Sequence, residues 1–365
     1  MKNTNFKVAI VADWMTNFAG GENVILKLHQ MFPQAPIYTP VFNQKKLPQF
    51  KEARIVTSFL QRFPLSKTKH QFFLKPMIHA VESFDLSDFD VVISSAHSIA
   101  KGVITNPGTV HISYCHSPMR YAWDSCHEYI RNSSFPGFLR SMIEMMMTDI
   151  RMWDRLASER VDHFIANSNF IAQRIKKYYQ RESKVIFPPV NIDKFRFGKR
   201  GKHFLALGRL IPYKKFDLLV EAFNENKLEL KIVGDGPELK KLQKKAADNI
   251  KFLGRIDEQQ VIKELATCRA FLFPQLEDFG ISAVEAIASG KTLIAFRGGG
   301  ALDIVLPENG LFFDEQNVSS LNQAIEKFLK LEEEFDPMKI RESAFRFDAE
   351  VFTREIEDFV GSKVA

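Results

Sequence analysis

The sequence predicts an α/β protein made of two doubly wound parallel-sheet domains, with ligands bound in a cleft between them. Three observations carry this. Short apolar runs of strand length alternate with longer segments of helical periodicity along the whole chain, the pattern of parallel strands joined by crossover helices. The alternation breaks at Phe187-Pro188-Pro189-Val190 and the basic stretch Lys194 to Lys202, a Pro-rich interruption typical of a linker. At 365 residues the chain also exceeds the size at which one hydrophobic core usually keeps growing.

Taken in order, the first strand is Lys7 to Ala12, followed by Asp13 and a short loop ending in Gly20-Gly21-Glu22. A helix follows, with its apolar stripe at Val24, Ile25, Leu28 and Phe32. Val91 to Ser94, Val110 to Ser113 and His163 to Ala166 read as buried strands, and Asn169 to Tyr179 as a helix. After the linker the strands are Phe204 to Leu207, Glu229 to Val233, Lys251 to Leu253, Ala270 to Phe273 and Thr292 to Ala295. The expected domains are 1–195, 196–345 and a C-terminal helix, 346–365, packing back on the first domain. Ligands of such sheets bind outside the carboxyl ends of the strands, which draws attention to the loops there.

Composition narrows the class. Hydrophobic residues are 45% and charged residues 26%, as in soluble globular proteins, and no run approaches the roughly 18 apolar residues of a spanning helix. Without a signal-like leader, the expected address is cytoplasmic, and Cys115, Cys126 and Cys268 read as reduced thiols. The net charge of +6 is uneven: residues 1–200 hold 27 Lys/Arg against 16 Asp/Glu, residues 201–365 hold 23 against 28. A basic first half attracts phosphates, anionic lipid or nucleic acid. No nucleic-acid-binding module accompanies that charge, so nucleic acid is not an expected partner.

Four strand-to-loop junctions of the second half carry chemistry. Gly208-Arg209 and Lys214 place two cations five residues apart on one turn, able to converge on a diphosphate. Gly234-Asp235-Gly236-Pro237 permits a tight turn and close backbone approach. In Phe273-Pro274-Gln275-Leu276-Glu277-Asp278-Phe279-Gly280-Ile281, a helix starting near Gly280 would offer N–H groups to an anion, and Glu277 and Glu285 suit sugar hydroxyls. Glu285 lies among Val284, Ala286 and Ile287, and a buried carboxylate demands partners. Gly298-Gly299-Gly300 is a further phosphate- or sugar-compatible loop.

This order, with Glu277 and Glu285 separated by seven residues, resembles the signature of the family-four retaining glycosyltransferases of the GT-B fold, two Rossmann-like domains facing across a cleft. Gly20-Gly21-Glu22 and the run from Tyr114 through His116 to Asp124 extend the resemblance to mannosyltransferases that build bacterial O-antigen and other lipid-linked glycans. It implies a hexose, above all mannose from GDP-mannose, moved to a glycan or lipid-linked glycan acceptor during lipopolysaccharide or other cell-surface polysaccharide synthesis. Arg209 and Lys214 would then hold the donor diphosphate, Glu285 the ribose, Glu277 the transferred sugar, and His116 the sugar near the reaction centre. Gly20, Gly21, Gly234, Gly280 and Ile281 would complete the nucleotide-sugar site. Asp303 stands where relatives often carry Glu, which leaves it outside the expected site. Two other readings are a UDP-sugar donor and sugar-nucleotide epimerisation.

No cofactor or metal is expected, because the Arg/Lys pair supplies the positive charge a metal would bring to the diphosphate. Asp88-Phe89-Asp90 has the form of a metal-binding pair but immediately precedes a strand, a common place for surface charge. Phe135 to Arg155 is amphipathic, with Leu139, Ile143, Met146, Ile150 and Trp153 on one face and Arg140, Glu144, Thr148, Arg151 and Arg155 on another. Phe59 to His79 mixes Arg62, Lys67, Lys69 and Lys75 with Phe63, Phe72, Phe73 and Met77, a mixture suited to peripheral contact with an anionic membrane.

Overall fold

The computed structural model describes residues 6–69, 73–124, 126 and 137–364. The chain divides into two compact units, Met1–Pro188 with Phe352–Ala365, and Pro189–Val351.

The first unit carries strands β1 (Val8–Ala12), β2 (Ile37–Thr39), β3 (Ile55–Thr57), β4 (Val91–Ala96), β5 (Val110–Cys115), β6 (His163–Ala166) and β7 (Ser183–Val185). All described pairings are parallel, in the order β3-β2-β1-β4-β5-β6-β7. Its helices include α1 (Gly20–Met31), α2 (Leu74–Glu82), α3 (Gly137–Glu159) and α4 (Asn169–Tyr179). Strand β1 shows why its apolar run does not alternate with polar residues. Val8, Ile10 and Ala12 pack with Val24, Ile25 and Leu28 of α1, while Ala9 and Val11 pack with Met77 and Ala80 of α2 and Ile150 of α3. A strand covered on both faces must be apolar at every position.

The second unit carries β8 (Phe204–Leu207), β9 (Leu230–Val233), β10 (Ile250–Gly254), β11 (Phe271–Phe273), β12 (Leu293–Phe296) and β13 (Gly310–Phe313). Their order is β10-β9-β8-β11-β12-β13, again parallel. Helices α5 (Phe216–Asn226), α6 (Leu239–Lys245), α7 (Glu258–Thr267), α8 (Ile281–Ala288), α9 (Ala301–Ile304), α10 (Val318–Leu331) and α11 (Pro337–Ala344) connect them. Phe204 and Ala206 of β8 meet Leu219 and Phe223 of α5 and Ile325 and Phe328 of α10. Each sheet reverses direction beside its first strand, between β1 and β4 and between β8 and β11. Such reversals are where doubly wound sheets open a ligand crevice.

The unit boundary falls at Pro188/Pro189 rather than after residue 195. Val190 bridges Asp348 and donates its N–H to Phe347 O at 3.0 Å, and Ile192 O accepts from Arg341 of α11 at 3.2 Å. These contacts tie residues 190–195 to the second unit. The last helix, α12 (Ala349–Val364), contains the other crossing, at Phe352 rather than residue 346. Its Phe352, Ile356 and Val360 belong to the core around β1.

Two segment readings are also revised. Gly20 and Gly21 are the first residues of α1, not the end of a loop. The Phe59–His79 stretch is no single surface: Phe59 and Phe63 are exposed, but Met77 is wholly buried and Phe73 packs on the core, because the α2 stripe must cover the sheet. Phe72 and residues 135–136 lie outside the described residues. In α3, Ile143, Met146, Ile150 and Trp153 join the core as expected, while Met142, Met145, Met152 and Leu156 form an additional exposed stripe. Among the described residues no helix is long and apolar enough to cross a membrane.

Candidate functional site

In the second unit, the loop after β9 is locked to that after β8, and the loop after β12 to that after β11, through their glycines. A Cβ on Gly234, whose φ is +140°, would sit 1.9 Å from Gly208 O, and one on Gly236 would sit 2.4 Å from Leu210 O. A Cβ on Gly299 would lie 2.3 Å from Glu277 O, and one on Gly300 the same distance from Phe279 Cα. The glycines are therefore needed by neighbouring loops as much as by any ligand. These contacts fix the Arg209 turn against the loop after β9 and the Glu277 segment against the loop after β12, and the Lys214–Glu277 ion pair joins the two.

Lys214 Nζ lies 2.7 Å from Glu277 Oε1, and both side chains are 17% exposed. The contact is an ion pair without hydrogen-bond alignment, since Oε1 is buried and makes no hydrogen bond among the described residues. Arg209, at the mouth of the turn after β8, is exposed, and its guanidinium makes no hydrogen bond or ion pair among the described residues. Lys214 and Glu277 are thus brought together, and Arg209 is left available to an anion.

Gly280 caps α8 at φ +115° with no side-chain hydrogen bond to the first turn, so the N–H groups that start at Ile281 have no side-chain cap. On the same helix the Glu285 carboxyl makes no hydrogen bond or ion pair among the described residues. Burial raises its carboxyl to about 7, the Glu258 charge adds to this, and Lys194 opposes it. A largely enclosed carboxyl without partners is costly, and hydroxyl donors from a ligand would relieve that cost. It takes no part in the Lys214–Glu277 pair.

In the first unit, His116 follows β5 and Gly21 starts α1. A Cβ on Gly21 would lie 3.7 Å from His116 Nε2, and Ser95 Oγ lies 2.8 Å from the same nitrogen. Burial lowers the His116 pKa to about 3, with the His97 charge acting in the same direction, so the ring is neutral across the physiological range. Gly20 leads the same helix turn, and Glu22 closes it by accepting from Ala19 N at 2.9 Å.

Sequence reasoning missed Asp13 and His97. Asp13 follows β1 and its carboxylate accepts three backbone N–H groups, from His97 (2.7 Å), Ser98 (3.0 Å) and Ala100 (2.7 Å). The His97 ring Nδ1 lies 2.7 Å from Asp13 Oδ2. Burial alone would raise the Asp13 carboxyl, but the charge and hydrogen bonds of His97, with Ala100 N, outweigh it and set the pKa to about 2. The legible signal was an acidic residue directly after the first strand. Asp90, of the Asp88/Asp90 pair, accepts from Lys7 N at 2.7 Å and so joins the entries to β4 and β1, two central strands. Among the described residues no three His, Cys, Asp or Glu side chains gather as a metal-binding set.

Comparison with known proteins decides the class. Residues 18–194 match the profile described as Glycosyltransferase Family 4, and residues 189–345 match Glycosyl transferases group 1. The chain belongs to glycosyltransferase family 4. This family 4 enzyme has the GT-B pair of Rossmann-like domains: Anabaena HepE, solved in complex with UDP, superimposes with a TM-score of 0.73 at 16% identity, covering 98% of this chain and 100% of HepE. Sucrose-phosphate synthase from Thermosynechococcus elongatus gives 0.69 at 16%, covering 97% and 98%. In sequence, an uncharacterised glycosyltransferase of Methanocaldococcus jannaschii is 27% identical over 66% of this chain and 71% of its own. A GDP-mannose-dependent phosphatidylinositol monomannoside mannosyltransferase of Corynebacterium glutamicum is 33% identical over 33% of this chain and 36% of its own. The chain thus spans about a third of the length of that mannosyltransferase.

Proposed function

We propose that this family 4 glycosyltransferase moves mannose from GDP-mannose, with retention of anomeric configuration, to a glycan acceptor carried on a lipid, in cell-surface polysaccharide synthesis. The observation that carries the donor side is the Lys214–Glu277 pair set among interlocked glycine loops, with Glu285 enclosed and lacking partners nearby on α8. Lys214 and Arg209 neutralise the diphosphate as its bond to the sugar breaks, which takes the place of a metal ion. Glu285 accepts the ribose hydroxyls, Glu277 orients Lys214 and meets the sugar, and His116, too weak a base at a pKa of about 3, hydrogen-bonds the sugar rather than taking a proton.

The mannose and GDP assignment is supported by the GDP-mannose-dependent relatives of Corynebacterium glutamicum, 33% and 36% identical over about a third of this chain. A UDP-sugar donor is the second reading, favoured by HepE, which was solved with UDP-glucose. A donor-hydrolysis screen over GDP- and UDP-sugars separates them. Preferential release of GDP from GDP-mannose supports the first reading, and turnover confined to UDP-sugars refutes it.

The exposed stripe Met142, Met145, Met152 and Leu156, and Phe59, Phe63 and Leu65 beside exposed Arg62, Lys67 and Lys69, support peripheral attachment to an anionic membrane. Sedimentation with phosphatidylglycerol vesicles that is indifferent to salt and to charge reversal at Arg62, Lys67 and Lys69 would refute that attachment.

A further inference from the structure

The first unit holds a groove that none of the assignments above uses. Its volume is about 680 Å³, within the range of small-molecule sites and more than one hexose fills. It runs over β2 and β3, at the edge of the first sheet, beside Ser83 and Phe84 at the end of α2. Lys7, Arg54 and Asp88, which also line it, precede β1, β3 and β4. These charged groups therefore stand at the amino ends of the strands, whereas Asp13 and His116 follow the carboxyl ends of β1 and β5.

Aromatic rings make the apolar part of the groove. Tyr38 of β2 is 8% exposed, and Phe84 and Phe89 stand edge-on to it at 5.3 Å and 6.0 Å between centroids. Phe59, just past β3, lines the same groove and is exposed. The Tyr38 hydroxyl makes no hydrogen bond among the described residues. A largely buried tyrosine ordinarily finds a partner for its hydroxyl, so this one is left to donate and accept toward a ligand. Charges of both signs act on it: burial raises the phenol pKa, Arg54 opposes the rise, and Asp85 and Asp88 add to it. Arg54 and Asp88 are exposed, and their side chains make no hydrogen bond or ion pair among the described residues. Asp85 commits Oδ1 to the Ser87 N–H at 3.1 Å and to the Ser87 hydroxyl at 2.6 Å.

Lys7 and Arg54 balance Asp85 and Asp88, so net charge selects neither an anion nor a cation for this groove. The chemistry that fits is an uncharged molecule with C–H faces for the rings and hydroxyls for the rim. A pyranose has both: its hydroxyls donate to a carboxylate and accept from a guanidinium, and its C–H face packs on an aromatic side chain. We propose that this groove binds a neutral oligosaccharide, with Tyr38, Arg54 and Asp88 holding its hydroxyls and the phenylalanine rings packing on its sugar faces. A glycan held there keeps units that do not react on the first unit of the protein. The proposal requires neither mannose nor GDP, and so stands independently of the donor reading above.

The test titrates the full-length protein, without nucleotide, with mannotriose, maltotriose, cellotriose and chitotriose, read by saturation-transfer NMR and calorimetry. At least one should bind with a Kd of about the millimolar range or tighter. Tyr38→Phe combined with Asp88→Asn should raise that Kd about tenfold or more, with the unfolding midpoint and the Kd for GDP and UDP unchanged. Arg54→Gln, at an exposed side chain, gives the same reading if the double variant melts early. Three results overturn the proposal: no trisaccharide of the panel bound at about 20 mM, a Kd unmoved by Arg54→Gln and by the folded double variant, or tighter binding of a sulfated heparin tetrasaccharide than of any neutral sugar. Wild-type protein that binds a trisaccharide through these residues but hydrolyses no nucleotide sugar upholds the groove and refutes the donor reading alone.

Discussion

Glu285→Gln should make the free protein more stable while weakening its hold on nucleotide. In the folded chain the Glu285 carboxyl is raised from 4.5 to about 7, principally by burial, and it has no hydrogen-bond or ion-pair partner among the described residues. Between those two values the folded state holds a proton that the unfolded state has released, so stability falls as pH rises through the window. Above it the full penalty is present. A shift of this size corresponds to about 3 kcal/mol at about 1.4 kcal/mol per unit. Because the residue is partly exposed, screening reduces this to about 2 kcal/mol.

Replacing the carboxylate by the isosteric amide removes the ionisation penalty. At pH 8, calorimetry should show the transition of the Pro189–Val351 unit rising by about 4–8 °C. Below pH 5, where Glu285 is protonated in the fold, the gain should vanish. The same substitution removes an anionic acceptor for ribose hydroxyls, which should weaken nucleotide binding by about ten- to a hundredfold. Wild-type nucleotide binding at pH 6.5 should release protons, visible as a dependence of the calorimetric heat on buffer ionisation enthalpy. A variant less stable than wild type at pH 8, or a wild-type stability that is flat between pH 5 and 8, refutes the reasoning.

Other expected outcomes follow from the same geometry. Arg209→Ala should cost turnover on the order of a hundredfold without lowering the melting temperature, since its guanidinium has no hydrogen-bond or ion-pair partner among the described residues; near-normal kcat and donor affinity would remove it from the site. Lys214→Ala should show a similar kinetic loss and also destabilise, by about 1–3 kcal/mol, because it strands the buried Glu277 Oε1; Lys214→Ala with Glu277→Gln should recover stability but not rate. Gly234→Ala should disrupt the second unit, its Cβ falling 1.9 Å from Gly208 O, whereas Gly254→Ala, at φ +65° but with open space around it, should cost only about 1 kcal/mol; equal effects on urea midpoints would contradict the interlock. His116→Asn should change activity without changing the shape of the pH profile above pH 5, because burial already holds His116 neutral there.

Much of this fold was legible because its central strands are covered on both faces. His163–Ala166 and Phe204–Leu207 have the boundaries their apolar runs implied. Ile37–Thr39, Ile55–Thr57 and Ser183–Val185 are three residues each, too short to display any period, and pairing with a neighbour defines them. The glycine loops were legible as loops, but their glycines looked like ligand cradles. In the structure, Gly234, Gly236, Gly299 and Gly300 are each demanded by an adjacent main chain, a relation between distant segments that spacing does not reveal. The pairing of Asp13 with His97 was illegible for the same reason, the two being separated by more than eighty residues and joined by the adjacency of β1 and β4.

The two kinds of constraint in the second unit have a common consequence for catalysis. Loops at the carboxyl ends of strands are usually the mobile part of a doubly wound sheet, yet here main-chain oxygens of one loop fill the space where another loop's side chain would be. Reorganising charged groups during reaction costs energy, and an electrostatic site works by having that cost met during folding. The Lys214–Glu277 pair illustrates the division of labour: the carboxylate fixes an ammonium that would otherwise swing on four methylenes, and the glycine contacts fix the carboxylate's own loop through Glu277 O. Glu285 takes the opposite course, keeping an unpaired carboxyl whose cost is relieved when hydroxyl donors arrive. In the proposed donor site, a fixed ammonium for the leaving group and an unpaired carboxyl for the nucleoside would separate barrier lowering from ligand recognition on two neighbouring segments, Glu277 before α8 and Glu285 within it.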